Sequence, residues 1–320
     1  MGELTALVEG LASSPGLLRK KNIQAPLRAF RWDRDKMLDP IGDDAAVLPV
    51  SDGYLLMSCD GILPELVREE PYWAGYCAVL VSISDIYAMG GRPTAIVNLL
   101  SAPDDDTAAL IAEGMAEGSR KFEVPMVGGH FLPGEAAGVG TAIIGKANQL
   151  LRGTQGKPRQ SLLVAIDLEG RPFKHYAQWD CTSQATPQAL RAKLELLPLL
   201  AERKLASAAR DISNAGILGT IAMLAENAGC GANVELNLIP KPESVEWERW
   251  LRMFPGYGFV LSADSESCME IVSLFEAEGI VACVVGELTD DTRVVISKGV
   301  EEAVLIDWSK EALVVGKAEN

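Results

Sequence analysis

The chain has 320 residues, 48% of them hydrophobic, and a formal net charge of −15. That length and apolar content can fill a full core, and the size prior favours two domains. The charge argues against a nucleic-acid or anionic-membrane partner, because phosphates would be repelled and no basic patch is strongly segregated.

The six cysteines, Cys59, Cys77, Cys181, Cys230, Cys268 and Cys283, are scattered without a CxxC pair. Several lie in apolar runs, where a free thiol packs as a small hydrophobe, and a reducing cytoplasm fits them best. The first residues open acidic and place their basic cluster after the apolar part, unlike a signal peptide. No apolar run is long enough to cross a bilayer, so a soluble protein is expected.

In chain order, residues 4–11 predict a short amphipathic helix, broken at Ser13-Ser14-Pro15-Gly16. The next segment, 17–24, clusters Arg19, Lys20 and Lys21. Such a cluster is most often a solvated face, yet in an acidic chain it could reach the phosphates of a nucleotide. Residues 25–39 carry little pattern. Ile41-Gly42-Asp43-Asp44 then leads into a strand over 45–48, and Ser51-Asp52-Gly53 turns the chain into a second strand over 54–59 that ends at Asp60-Gly61. Asp-Gly between two apolar runs is a strong hairpin signal. The hairpin would bring the Asp43-Asp44 end toward Asp60, crowding three carboxylates that cations could neutralise. Taken singly, Asp43 or Asp44 reads more simply as a turn cap.

A helix starting near Pro71 places Val79, Ile83 and Ile86 on one face and Ser82, Asp85 and Met89 on another. It stops at Gly90-Gly91. An aspartate late in a helix opposes the dipole, and a cation at that end removes the objection. Residues 94–100 read as a buried strand. Asp104-Asp105-Asp106 opens a helix through residue 120, explained by capping and the dipole. A strand over 124–127 runs into Gly128-Gly129-His130, where paired glycines allow a ligand to approach the backbone. His130 reads as either a hydrogen-bonded loop histidine or a ligand-facing one. Residues 139–145 form another strand.

The polar, turn-rich stretch 151–160 marks a boundary between domains 1–150 and 151–320. Beyond it come a strand over 162–166, a long helix over 188–208 and a helix over 217–228 capped at Gly229. Between those helices Asp211, Ser213 and Asn214 are candidate N-caps. Strands over 233–238, 259–262, 281–285 and 293–296 alternate with helical stretches such as 266–278, and the second half is α+β. His175 and Trp179 fall in an irregular polar stretch and take no role.

The blocks IGDDAAVL, SCDGI, SISDIYAMGGRPTAIVNLLS, MVGGH and RDISNAGILGTIAMLAENAGCGANVEL resemble, in that order, the signature blocks of the AIR synthase superfamily. Its members include the purine-pathway synthetase, thiamine-monophosphate kinase, selenophosphate synthetase and a hydrogenase-maturation protein. The resemblance implies a two-domain α+β PurM-like fold. In it the N-terminal α/β sheet forms a barrel across a homodimer, and Mg-ATP lies between the domains with magnesium ions on the aspartates of the motifs. Carried over by motif, Asp43, Asp44, Asp60, Asp85 and Asp211 are the implied metal ligands. Gly42, Gly128, Gly129, His130 and Asp211 are the implied nucleotide contacts.

Hard oxygen ligands suit magnesium, which offsets charge developing in phosphoryl transfer. The implied function is an ATP- and Mg2+-dependent enzyme that phosphorylates or phosphate-activates a small-molecule acceptor. Asp60 and Asp85 serve the chemistry and Lys20 or Lys21 contacts phosphate. Departures leave the acceptor open. His130 stands where thiamine-monophosphate kinase has an aspartate, and the segment 14–21 offers lysines without the Cys or selenocysteine of selenophosphate synthetase. The chain looks most like the AIR synthase-related proteins of undefined substrate. The alternatives are a selenophosphate synthetase-like or thiamine-monophosphate kinase-like activity, and a nucleotide-binding scaffold or sensor without turnover. The acceptor-choosing residues are expected in the loops 131–137 and 173–181.

Overall fold

The computed structural model describes residues 2–23, 26 and 41–314. Glu3–Ala12 (α1) and Pro15–Lys21 (α2) open the chain. The Ser14 hydroxyl caps α2 by accepting from the Leu17 N–H, and Pro15 at the first helical position needs no donor partner. The basic segment 17–24 lies in α2 as far as Lys21. Its last residue, Gln24, lies outside the described residues, as does the unpatterned stretch 25–39 apart from Pro26.

Two compact units divide the chain. One comprises Met1–Asp43, Leu150–Ser183 and Leu199–Asn320, the other Asp44–Gln149 and Gln184–Pro198. The sequence expects two continuous blocks meeting near residue 150, whereas each unit takes one segment from the far side of that point.

In the unit built on residues 44–149, Ala46–Val50 (β1) and Gly53–Gly61 (β2) form the expected hairpin, with Val50 opposite Gly53. A short helix, Pro64–Glu69 (α3), and the long helix Pro71–Ala88 (α4) lead to Arg92–Ala102 (β3), Asp105–Phe122 (α5), Met126–Pro133 (β4) and Gly138–Ala147 (β5). The strand order is β1-β2-β5-β3-β4, with only β3 and β4 parallel. Helices α4 and α5 pack together and against the sheet. Nearly every residue of α4 from Trp73 onward is buried, so its two sequence-predicted faces are both interior. Asp104 caps α5 as expected, its carboxylate accepting from the Thr107 N–H at 2.7 Å.

The sheet's other face remains open, and Leu48, Met57, Val97, Leu99, Leu132 and Ile144 are exposed there. Strand alternation and the pairings of Met57 with Ile144, Val97 with Gly128 and Leu99 with His130 put these side chains on that one face.

Segment 184–198 belongs to this unit through Pro187–Leu194 (α6). Arg92 Nε donates to Glu195 at 2.7 Å, Lys121 Nζ to the Ala185 carbonyl at 2.7 Å, and Arg191 pairs with Glu123. Burial, with Glu195 nearby, pushes the Tyr87 phenol up from its ordinary range.

The other unit is built on a seven-stranded sheet. Its strands are Ser161–Ile166 (β6), Ala208–Asp211 (β9), Gly231–Glu235 (β10), Gly258–Ala263 (β12), Val281–Thr289 (β13), Arg293–Lys298 (β14) and Glu301–Asp307 (β15), in the order β15-β14-β10-β13-β6-β12-β9. Strands β6 and β12 are almost wholly buried. Gly216–Ala228 (α8), buried over its first eleven residues, packs on β9, β10 and β12, and α1 packs on β15 and β14. A small second sheet joins Arg171–Pro172 (β7), Gln178–Asp180 (β8) and Phe254–Pro255 (β11). The stretch carrying His175 and Trp179 is therefore a hairpin.

Three sequence expectations are corrected here. The helix over 188–208 is two helices, α6 and Leu196–Glu202 (α7), and Ala208 already belongs to β9. The chain turns at residues 203–207 so that the Ser207 N–H reaches the Ser262 carbonyl and β9 pairs with β12. The strand over 233–238 ends at Glu235 and continues as a tight turn of 3-10 helix, Leu236–Leu238. Glycines 128 and 129 and His130 lie within edge strand β4, hydrogen-bonded along β3, and not in a loop after a strand.

Candidate functional site

The carboxylates fall into two settings, one in each unit. In the 44–149 unit, β2 alternates Leu56 and Ser58 inward with Met57 and Cys59 outward, and Asp60 follows Ser58 on the inner face. Helix α4 covers that face. Its Asp85 is buried, and the buried Ser58 hydroxyl donates to the Asp85 Oδ2. Nearby on the same helix, Ser82 shares a 2.7 Å hydrogen bond with Thr141 of β5, whose hydroxyl also reaches the Ala78 carbonyl at 2.7 Å. A polar seam thus runs between α4 and the sheet inside an otherwise apolar layer.

Asp60 pairs with Thr141, Thr141 with Asn98, and Asn98 with Gly129, so these four residues form one row across β2, β5, β3 and β4 on the inner face. Gly129 needs its missing side chain here. A Cβ would sit 2.6 Å from the Asn98 side chain and 2.7 Å from the Asn98 carbonyl. Gly128 and His130 point the other way, onto the open face beside Val97 and Leu99, away from Ser58 and Asp85. The motif read as one glycine loop is split by strand alternation. Only Gly129 shares a face with the acidic residues.

In the other unit, Asp211 is the buried last residue of β9, paired with Phe259 of β12. The turn after it carries Ser213 and Asn214, and both are held from α2. Lys20 Nζ donates to Ser213 Oγ at 3.3 Å, and Arg19 Nη2 to Asn214 Oδ1 at 3.2 Å. Lys21 turns elsewhere and pairs with Glu311 at 2.7 Å. None of the three candidate caps serves α8, whose N-cap is Ala215 with no side-chain bond.

Gly42 and Asp43 are anchored in this same unit. Arg210, next to Asp211 on β9, donates from Nη1 to the Gly42 carbonyl at 2.8 Å and lies 3.7 Å from Asp43 Oδ1. The Asp43 Oδ2 accepts from the Gly153 N–H at 2.8 Å, and Asn227 Nδ2 also donates to the Gly42 carbonyl at 3.2 Å. Gly42 has φ +136°, a backbone region closed to most side chains. Asp44, half-buried, follows directly and begins the other unit.

Each unit by itself offers donors of the kind magnesium takes. Asp44, Asp60 and Asp85 in one and Asp211 in the other present hard carboxylate oxygens, and the burial of Asp85 and Asp211 favours a cationic partner for each. Three contributors went unread in the sequence. Ser58 could have been found two residues before Asp60 by strand period, but Arg210 and Asn98 act through partners remote in the chain. No helix among the described residues is long and apolar enough to cross a membrane.

The two units define a mixed α/β two-domain protein of the PurM-like type, with carboxylates at the ends of buried elements. The chain belongs to the AIR synthase related protein family. Residues 42–147 match its N-terminal domain and residues 162–299 its C-terminal domain.

Among relatives, an uncharacterized protein of Synechocystis sp. is 35% identical over 97% of this chain and 98% of its own length. A selenide, water dikinase of Carboxydothermus hydrogenoformans is 30% identical over 67% of this chain and 64% of its own. A thiamine-monophosphate kinase of Pyrococcus abyssi is 31% identical over 43% of this chain and 46% of its own. Among solved structures, T. maritima PurL complexed with ATP matches at TM-score 0.71 and 20% identity, covering 92% of this chain and 50% of that one. AaThiL complexed with AMPPCP and TMP matches at TM-score 0.62 and 17% identity, covering 82% and 90%. This chain therefore spans about half the length of PurL and nearly the whole of AaThiL.

Proposed function

We propose that the protein is an ATP- and Mg2+-dependent enzyme that transfers phosphate to, or activates through phosphate, a small-molecule acceptor. The observation that carries this reading is the buried Asp85 of helix α4, which accepts from Ser58 on the inner face of β2, two residues before Asp60 on that same face. Kinases among the relatives, and the ATP and AMPPCP complexes of T. maritima PurL and AaThiL, support it.

Asp44, Asp60, Asp85 and Asp211 are the candidate metal ligands, and a Mg2+ ion held by them would offset the charge that develops in phosphoryl transfer. Lys20, held on Ser213, is the candidate phosphate contact, and Gly129 is the member of the glycine pair positioned to approach a nucleotide. The loops 131–137 and 173–181 are the candidate acceptor-choosing elements. A homodimer through the open sheet face accounts for its exposed apolar side chains. A reducing cytoplasm suits the six free thiols.

Calorimetry with Mg-ATP tests the binding step, using Asp60→Ala and Asp85→Ala as controls. Release of ADP or AMP with a panel of small acceptors tests turnover, and binding without any turnover would favour a nucleotide-binding scaffold.

A further inference from the structure

The five motif aspartates are not equivalent, and Asp43 stands apart. Its side chain is 3% exposed and that of Arg210 is 7% exposed, so this is a buried charge pair. One carboxylate oxygen of Asp43 faces the guanidinium while the other accepts the Gly153 N–H, and both contacts lie within one compact unit. The same Arg210 nitrogen binds the Gly42 carbonyl. A carboxylate already facing a buried guanidinium has its charge balanced by the protein, and binding a divalent cation there would set that cation beside a fixed positive charge. Asp44 and Asp211 each follow directly on one partner of this pair.

We infer that Asp43 and Arg210 form a positioning clasp. Asp43 is the counter-ion of Arg210 and not a metal ligand, and the clasp fixes the backbone that presents Asp44 and Asp211. The inference rests on the Mg-ATP reading above, and it adds that the arginine preceding Asp211 sets metal affinity without touching metal.

The test combines Mn2+ titration, followed by electron paramagnetic resonance in the presence of a non-hydrolysable ATP analogue, with urea unfolding of the same samples. The variants are Asp43→Asn, Arg210→Met, Arg210→Lys and the double variant Asp43→Asn with Arg210→Met. The number of Mn2+ ions bound is expected to stay at the wild-type value in every variant. Affinity falls roughly three- to tenfold in Asp43→Asn and in Arg210→Met, falls no further in the double variant, and is partly restored by Arg210→Lys. Loss of one bound ion in Asp43→Asn alone would overturn the assignment, as would fully additive losses in the double variant. Should the wild-type protein bind no Mn2+, the Mg-ATP reading itself fails, and the positioning role with it. Non-additive unfolding midpoints would then establish the pair as structural only.

Discussion

The Ser58 hydroxyl of strand β2 donates to the Asp85 carboxylate of helix α4. Both residues are buried where the helix packs on the strand. Removing the donor leaves a buried carboxylate with one partner fewer. Ser58→Ala is expected to cost about 1–3 kcal/mol of stability, read as a lowered urea midpoint. The same change is expected to weaken divalent-metal binding. An unchanged midpoint together with unchanged metal affinity would show that Ser58 does not orient Asp85.

The two glycines of β4 make opposite predictions. A Cβ at Gly129 meets Asn98 side chain and backbone inside 3 Å, whereas at Gly128 the nearest heavy atom within reach is Val97 Cγ1 at 3.8 Å. Gly129→Ala is expected to destabilise by about 1–3 kcal/mol through overpacking, and Gly128→Ala to stay within about 1 kcal/mol of wild type. Chemical denaturation of the two variants side by side checks this. Equal effects would contradict the split of the pair between faces.

Neighbouring lysines are likewise separated. Lys20 is held on the turn that follows Asp211, and Lys21 makes an ion pair with the exposed Glu311. Lys20→Ala is expected to weaken nucleotide binding severalfold in calorimetry. Lys21→Ala is expected to leave nucleotide affinity unchanged and to alter stability by no more than about 1 kcal/mol, the range of surface ion pairs. The reverse ordering would move the phosphate role to Lys21.

Leu99 is 57% exposed on the open sheet face among Val97, Leu132 and Ile144. Leu99→Glu is expected to convert a dimer to a monomer in sedimentation velocity while changing monomer stability little. A wild-type protein that sediments as a monomer would remove the homodimer from the account.

Asp307, at the end of β15, accepts from Ser309 Oγ at 2.7 Å and Thr292 Oγ1 at 2.8 Å, with Lys310 nearby. These bonds, the Ser309 hydroxyl foremost, hold its carboxyl below the ordinary aspartate range. A depressed folded-state value stabilises the protein above the unfolded aspartate pKa, and that contribution disappears as pH falls toward the folded value. Wild type is therefore expected to exceed Asp307→Asn in stability at neutral pH, with the two curves converging in acid. Parallel curves from pH 7 downward would contradict this.

The elements legible in the sequence are those with local causes. Asp52-Gly53 announced the β1–β2 hairpin, and Asp104 announced the start of α5, because a turn and a cap are decided within four residues. Residues 188–208 carry a helical pattern that the sequence extends too far, since the break before β9 is set by pairing with β12, far along the chain. The paired glycines read as a loop because nothing local reveals that they lie along Val97 and Asn98 of β3. The buried pairing of Asp43 with Arg210 was not legible, because the two are 167 positions apart in the numbering, too distant for spacing to reveal. The acidic residues themselves were legible. Their faces and partners were not.

The most direct test of the central claim is isothermal titration of the wild-type protein and of Asp85→Asn with ATP, with and without Mg2+. The account predicts Mg2+-dependent ATP binding by the wild type and at least tenfold weaker binding by a folded Asp85→Asn. Wild-type binding that ignores Mg2+, or an Asp85→Asn protein that binds Mg-ATP as the wild type does, would contradict it.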